Sequence, residues 1–303
     1  GGNSASITPT GPVTRHFPPG SSTHREPAVI VALPMYRLPG TEAAHEALWR
    51  VLREHLAQQL TALAGISAPL PERLDPRSDP MAIARDPGLL LSQTCGYPYT
   101  TALQGAVRLV ATPVYDAPGC EGALYRSALL VRDEDAAGAL ADCAGYRVAI
   151  NEALSQSGHH ALRAALAKAQ CPPGHLGSVL RSGSHAASAA AVAGGQADLC
   201  AVDCVTWALL CDADKGLAAR LRRIGWGPAA PGLPLITAAS NADDVVLALR
   251  AALIALLHDD RAATARRRLR ITGIEALGDD DYAYLTKMAQ AATAAGHGSL
   301  IEA

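Results

Sequence analysis

The chain has 303 residues, 49% of them hydrophobic, with a net charge of −2 and only 4% aromatics. That length suffices for two domains of ordinary size, with a core built from Ala, Leu and Val. The near-neutral charge offers no basic surface for nucleic acid or an anionic membrane, and no apolar run approaches the roughly 20 residues of a membrane-spanning helix. Seven cysteines, one necessarily odd, are too scattered for a disulfide scaffold. Cys200 and Cys204 flank Asp203 at a spacing that suits neither a redox pair nor a zinc knuckle and read as small buried hydrophobes. Cys95 and Cys120 fall in predicted loops and could pair in an exported protein.

In chain order, residues 1–26, rich in Gly, Ser, Thr and Pro, read as a flexible leader. Their start carries neither an initiator Met nor a signal peptide, so it does not fix the compartment. Ala28 to Leu33 is a first strand, with Tyr36 at its carboxyl end. A long helix follows Thr41, with Leu48, Leu52, Leu56 and Leu60 on one apolar face, Trp49 and Leu63 beside them, and Gly65 as its stop. Leu89 to Leu91 is a short buried strand whose exit, Ser92 to Tyr99, is a polar turn carrying Tyr97. Val107 to Ala111 and Ala123 to Val131 are tandem strands with no helix between, as expected where a chain crosses between domains; Tyr125 lies on the second. Glu134 to Cys143 reads as a short helix and Tyr146 to Ile150 as a strand.

A hydroxyl-rich loop follows, with Ser155 or Ser157 capping a helix over His159 to Ala169. His159 and His160 have no third ligand at metal spacing and read as an exposed turn. The stretch from Arg181 to Asp203 is the centre of the sequence. Ser184 is a natural N-cap, Ala186 to Ala193 a small-residue helix, Gly194-Gly195 its stop, and Leu199 to Val202 a buried strand with Asp203 at its carboxyl end. A helix N-terminus carrying Ser184 and His185 suits an anion, and a second such terminus at Ser155 to Ser157 suggests that both supply donors to one oxyanion. Beyond it, Leu221 to Trp226 and Pro234 to Thr237 are strands separated by a Pro/Gly return crossover; Asp243 to Leu257, Asp259 to Arg270 and Asp279 to Ala295 read as helices.

The segments LSQTCGYPY (91–99), INEALSQSG (150–158), 182–210 and GWGPAAPGLPLIT (225–237) resemble the substrate-binding proteins of phosphate, phosphonate and phosphite ABC transporters. The resemblance implies an α/β, two-lobed type II periplasmic binding protein fold, each lobe a mostly parallel sheet flanked by helices, joined by two crossover strands. It implies lobe 1 from 27–120 plus 228–303 and lobe 2 from 121–227. Ser155, Gln156 and Ser157 take the place of a first oxyanion loop, Ser184 and His185 of a second, and Asp203 of an acid able to meet a ligand's amine. Tyr36, Tyr97 and Tyr125 match aromatic positions on the first lobe and hinge. Gln156 departs from the small hydroxyl residue that related sequences often have there.

The expected function is therefore that of a periplasmic solute-binding protein. It would capture a small oxyanion between its lobes and deliver it to an ABC transporter membrane permease, as a monomer, without catalysis, cofactor, metal, nucleic acid or membrane insertion of its own. Two alternatives stay open: an enzyme on the same fold acting on a small metabolite, and an anion-sensing domain. Ser184, His185 and Asp203 make a poor triad, because adjacent helical side chains do not face each other, and there is no G-x-S-x-G elbow.

Overall fold

The computed structural model describes residues 28–301; the leader read over 1–26 lies outside them. The first lobe opens with β1 (Ile30–Ala32), α1 (Glu42–Ala64), α2 (Pro80–Ala84), β2 (Leu89–Gln93), α3 (Gly96–Thr100) and β3 (Val107–Tyr115). The chain crosses on β4 (Leu124–Tyr125) into the second lobe. That lobe holds β5 (Ser127–Arg132), β6 (Val148–Ile150), α4 (Ala161–Lys168), β7 (Val179–Arg181), α5 (His185–Ala193), β8 (Leu199–Asp203), α6 (Cys204–Ala213), α7 (Lys215–Ala219) and β9 (Leu221–Trp226). It returns on β10 (Ala230–Pro231) and continues with β11 (Leu235–Ala238), α8 (Asp243–Leu257), α9 (Ala263–Arg268), β12 (Ile271–Glu275) and α10 (Asp279–Ala294).

Two five-stranded sheets result, ordered β1-β2-β11-β3-β12 and β7-β6-β8-β5-β9. Each contains a strand delivered by a crossing. β5 enters its sheet antiparallel to β8 and β9, and β11 enters the other antiparallel to β2 and β3. A strand arriving from the opposite lobe runs against strands built by local βα units, so both sheets are mixed. The crossings β4 and β10 pair antiparallel, Tyr125 opposite Ala230, forming a short ribbon between the lobes.

The first lobe's main core packs Leu48, Trp49, Leu52, Leu56 and Leu60 of α1 against Leu249 and Leu253 of α8 over the sheet. Leu63, expected on this face, is 48% exposed at the helix's last turn. The second sheet is covered on both faces, as its unbroken apolar strands require. A further cluster runs across the lobes, with Ala32, Tyr36, Tyr99 and Tyr282 joined by Cys204, Val205 and Leu209 of α6. The lobes are therefore in direct contact.

Several local expectations give way to long-range partners. Glu134 to Cys143 forms only a single turn at Leu140–Asp142. The partly buried Arg222 guanidinium donates to the carbonyls of Asp133, Asp135 and Ala137, which a helix would have used itself. The strand read over Ala123 to Val131 breaks at Arg126, where ribbon ends and sheet begins. The helical reading of Asp259 to Arg270 holds only in part, and the edge strand β12 after it was not anticipated. His159 and His160, expected exposed, are 1% and 5% exposed. His159 Nδ1 bonds the Ala153 carbonyl at 2.7 Å, and its Nε2 accepts the Leu300 N–H at 3.0 Å. Residues 297–301, expected with the first lobe, thus lie against the second.

Arg163 anchors this arrangement. Only 4% exposed, it donates to the carbonyls of His297 (2.9 Å) and Ala289 (3.3 Å), to Thr293 Oγ1 and to His160 Nδ1 (2.9 Å). No carboxylate pairs with it among the described residues; the carbonyl-rich C-terminus of α10 serves instead. Arg163→Ala would leave these acceptors buried and unpaired. We expect a loss of about 3 kcal/mol, read in thermal unfolding as a midpoint lower by roughly 6–12 °C; an unchanged midpoint would contradict this role.

Candidate functional site

Where β6 ends, the backbone passes through Asn151 to Ser155, and Ser155 Oγ accepts the Gly158 N–H at 3.0 Å. Ser155 is therefore the cap, which leaves the Ser157 hydroxyl free for another partner. The first turn, Gln156–His160, is a π-helical turn leading directly into α4. Such widened turns are frequent at functional sites. Gly158 is required by close approach: a Cβ there would lie 1.7 Å from Asn151 Oδ1.

The second helix N-terminus is capped as the sequence predicts. Ser184 Oγ accepts the Ala187 N–H at 3.1 Å, on an exposed residue. The structure does not bring Ser184 into the cluster. His185, one residue on, turns inward, and its Nε2 lies 2.8 Å from Ser157 Oγ. Burial holds His185 down to about 4, so the ring is neutral near pH 7. Nδ1 is sealed and makes no hydrogen bond, with the Ala201 carbonyl beside the ring. One hydrogen bond joins the neutral ring to Ser157 at Nε2, its direction set by which ring nitrogen carries the proton.

Asp203 ends β8 and caps α6. Its Oδ1 accepts the N–H groups of Val205 (2.7 Å) and Thr206 (3.0 Å), and its Oδ2 accepts the Tyr36 hydroxyl at 2.7 Å. Tyr36 comes from the other lobe and sits at φ +60, a conformation rare for a residue with a side chain. Burial raises Asp203 to about 6 despite these three donors, and burial together with the Asp203 charge raises Tyr36. Both carboxylate oxygens are engaged within the protein, so a ligand's amine would have to share Oδ2.

Tyr125, on the ribbon, is 4% exposed, and its hydroxyl has no hydrogen-bond partner. The Ser157 hydroxyl and the Asp203 carboxylate are its polar neighbours. Gln156 is 0% exposed, and neither Oε1 nor Nε2 has a partner. Its backbone N–H reaches across the lobes to Cys95 Sγ at 3.2 Å. Tyr97 is half-buried and stacks on His160, ring centroids 3.7 Å apart. Burial, with His159 and Arg163 nearby, holds His160 down to about 3.

The structure thus brings together Tyr36 with Asp203, Ser157 with His185, Tyr125 beside both pairs, and Gln156 on the same turn as Ser157. Ser155 supports that turn, Tyr97 lies to one side on His160, and Ser184 stands outside. Thr94 and Cys95 were missed as individual residues. Thr94 is 1% exposed with an unpartnered hydroxyl, and Cys95 meets Gln156. Their position at a strand's carboxyl end, within the segment 91–99, was the available signal. No Lys or Arg hydrogen-bonds to any of these residues except through His160 among the described residues. The site offers neutral donors and one carboxylate. Cations gather elsewhere: Arg126, Lys168 and Lys287 line an open groove of about 740 Å³ with Trp226 and Tyr284.

In fold, the chain is similar to solved two-lobed binding proteins. It is similar to PhnD1 from Prochlorococcus marinus in complex with methylphosphonate (TM-score 0.68, 12% identity, covering 87% of this chain and 97% of that one). It is also similar to a binding protein component of an ABC phosphonate transporter from Pseudomonas aeruginosa (0.66, 18%, 89% and 87%). A third likeness is to the alkanesulfonate-binding protein SsuA from Xanthomonas axonopodis pv. citri bound to MOPS (0.57, 18%, 86% and 93%). At these identities the likeness carries the fold. The sequence itself matches, over residues 91–282, the model for the periplasmic substrate-binding protein of phosphonate ABC transporters, and the chain belongs to that family. A comparison with curated proteins returns no match. Among the described residues, no helix is long and apolar enough to cross a membrane.

The titrating groups predict how stability follows pH. His160 and His185 have folded values near 3 and 4 against an ordinary value of about 6.5. The unfolded chain therefore binds more protons than the folded one in this window. Their contribution is fully present above about pH 6.5 and is lost on acidification toward 4, about 2 kcal/mol each at pH 5. Asp203, raised to about 6, acts oppositely, regaining about 1 kcal/mol as pH falls from 6 to 5. Thermal unfolding at pH 5 should show a net loss of roughly 2–3 kcal/mol relative to pH 7.5, diminished in His160→Gln. A flat profile would contradict the burial assigned to the two rings.

Proposed function

We propose that this protein is the periplasmic solute-binding component of an ABC importer, that it captures a small phosphonate-, phosphite- or phosphate-like oxyanion between its lobes, and that it hands it to a membrane permease. The observation that carries this reading is Gln156. It is a fully buried amide with both atoms unpartnered, at the N-terminus of the helix that supplies Ser157, across from the other lobe's Cys95. Buried polar groups are almost always hydrogen-bonded, and a tetrahedral anion held there would receive donors from Gln156 Nε2 and Tyr125, and from Ser157 when its hydroxyl oxygen accepts from His185 Nε2. The π-helical turn adds N–H dipoles of one sign. Family membership and the phosphonate ligand of the Prochlorococcus marinus protein support the same ligand class.

Among the described residues, no Lys or Arg hydrogen-bonds to Gln156, Ser157, Tyr125 or Asp203. A dianion would face the Asp203 carboxylate with nothing to offset it, whereas an anion retaining a proton, or bearing an amine, meets that carboxylate with a donor. The reading therefore favours ligands with at least one hydrogen-bond donor. Ser157 and His185 also have the geometry of a nucleophile and base, which favours an enzyme as the second reading. Against it, no carboxylate orients His185 Nδ1, because Asp203 is committed to Tyr36 and its own helix. Ser157-dependent hydrolysis of an activated ester would put the enzyme first.

Thermal-shift assays with phosphate, phosphite, methylphosphonate, 2-aminoethylphosphonate and sulfate test the proposal. A ligand at a hundred times its dissociation constant stabilises by about 2.7 kcal/mol, a shift of roughly 5–10 °C for a chain of this size. In calorimetry, Ser157→Ala and His185→Ala should each weaken the ligand so found by about 1.5–3 kcal/mol. Unchanged affinity in both would remove the site.

A further inference from the structure

We infer that Cys120 and Cys204 are the redox-active pair among the seven cysteines and that a thiol–disulfide oxidant joins them, tying the first lobe's crossover loop to the second lobe beside Asp203. The sulfurs lie 3.5 Å apart although the residues are 84 positions apart in the chain. Cys120 sits in the loop between β3 and β4. That loop is fixed to the first lobe by the Asp116 N–H to the Arg270 carbonyl (2.8 Å) and by the Ala123 N–H to Glu275 Oε1 (3.1 Å). Cys204 is the first residue of α6, whose cap is Asp203. The alternative partner suggested by loop position, Cys95, is directed elsewhere, to the Gln156 N–H.

The loop is shaped for the approach. Gly119, at φ +104, lies flat on the second lobe; a Cβ there would stand 2.7 Å from the Trp226 ring and 3.0 Å from Cys204 Cβ. No other residue makes that contact without displacement, so Gly119 is what lets the neighbouring thiol reach Cys204. The two thiols differ in role. Cys120 is half-buried and open to a reagent, while Cys204 is 1% exposed. The hydrogen bond from Cys204 lowers Cys120 and raises Cys204. Cys120 is then the attacking thiolate and Cys204 the resolving thiol.

The chemistry balances with a disulfide oxidant such as oxidised glutathione. The Cys120 thiolate attacks one glutathione sulfur and expels the other as thiolate, giving a mixed disulfide. Cys204 loses its proton to solvent and its sulfur attacks Cys120 Sγ, expelling the second glutathione thiolate. Two protein thiols give up two electrons and two protons in all, and the oxidant leaves as two thiols. The bond closes a long loop and joins elements of both lobes, so it opposes their separation.

The test uses the full chain, reduced, then exposed to oxidised glutathione and digested without reduction. Mass spectrometry should find the Cys120 and Cys204 peptides joined, lighter by two hydrogens than their sum. The oxidised protein should melt roughly 5–10 °C above the reduced one. Cys120→Ser should abolish both the cross-link and the oxidant's effect on melting, and Gly119→Val should slow cross-linking. The inference is overturned if both residues remain alkylatable under oxidant, if Cys143 pairs with Cys171 while Cys120 stays free, or if Cys120 stops at the glutathione adduct. None of these outcomes depends on which ligand the protein binds.

Discussion

The carboxylate of Asp203 is buried with no cation in hydrogen-bonding contact among the described residues, and the lobes are arranged to meet that demand. Two of its donors are first-turn N–H groups of its own helix, those of Val205 and Thr206; the third, the Tyr36 hydroxyl, comes from the other lobe. Losing an interlobe donor would leave a desolvated charge short of partners, a cost of about 1–3 kcal/mol or more. The lobes' contact is thus linked to the ionisation of one group. Tyr36, which makes this bond, also holds an unfavourable backbone conformation, the kind of local strain that surrounding structure sustains at functional sites.

Around that contact the site is polar but uncharged. His160 and His185 are both kept neutral by burial. Arg163, the nearest guanidinium in the network, spends its donors on the end of α10 and on His160. An anion bound here would be held by preorganised dipoles rather than by an opposing charge. Such donors discriminate by direction and by the protons an anion retains, while a cationic groove would accept any phosphate. Under the proposed function, Gln156, Ser157 and Tyr125 would supply those dipoles.

Much of the frame was legible locally. Apolar runs such as Leu199 to Val202 could only be buried strands, and Ser184 capped the helix that its position announced. The helix over Asp243–Leu257 follows from its apolar periodicity. What escaped was decided at a distance. Arg222, about ninety residues on, takes the carbonyls that a helix at Glu134 would have used. His159 and His160 look like a solvated turn until Leu300 and the end of α10, supplied through Arg163, cover them. In the site, the serines, His185 and Asp203 were visible as helix caps and strand ends. That His185 would pair with Ser157 and not stay beside Ser184, and that Asp203 would be consumed by Tyr36, depends on how two lobes meet. No local pattern encodes that.

The most direct test of the account is a crystal structure of the protein grown with methylphosphonate. The phosphonate should lie between the lobes, its oxygens within ~3.2 Å of Gln156 Nε2 and Ser157 Oγ and no Lys or Arg nitrogen in direct contact. A phosphonate found instead among Arg126, Lys168 and Lys287 in the open groove, with the Gln156 amide still unpartnered, would contradict it.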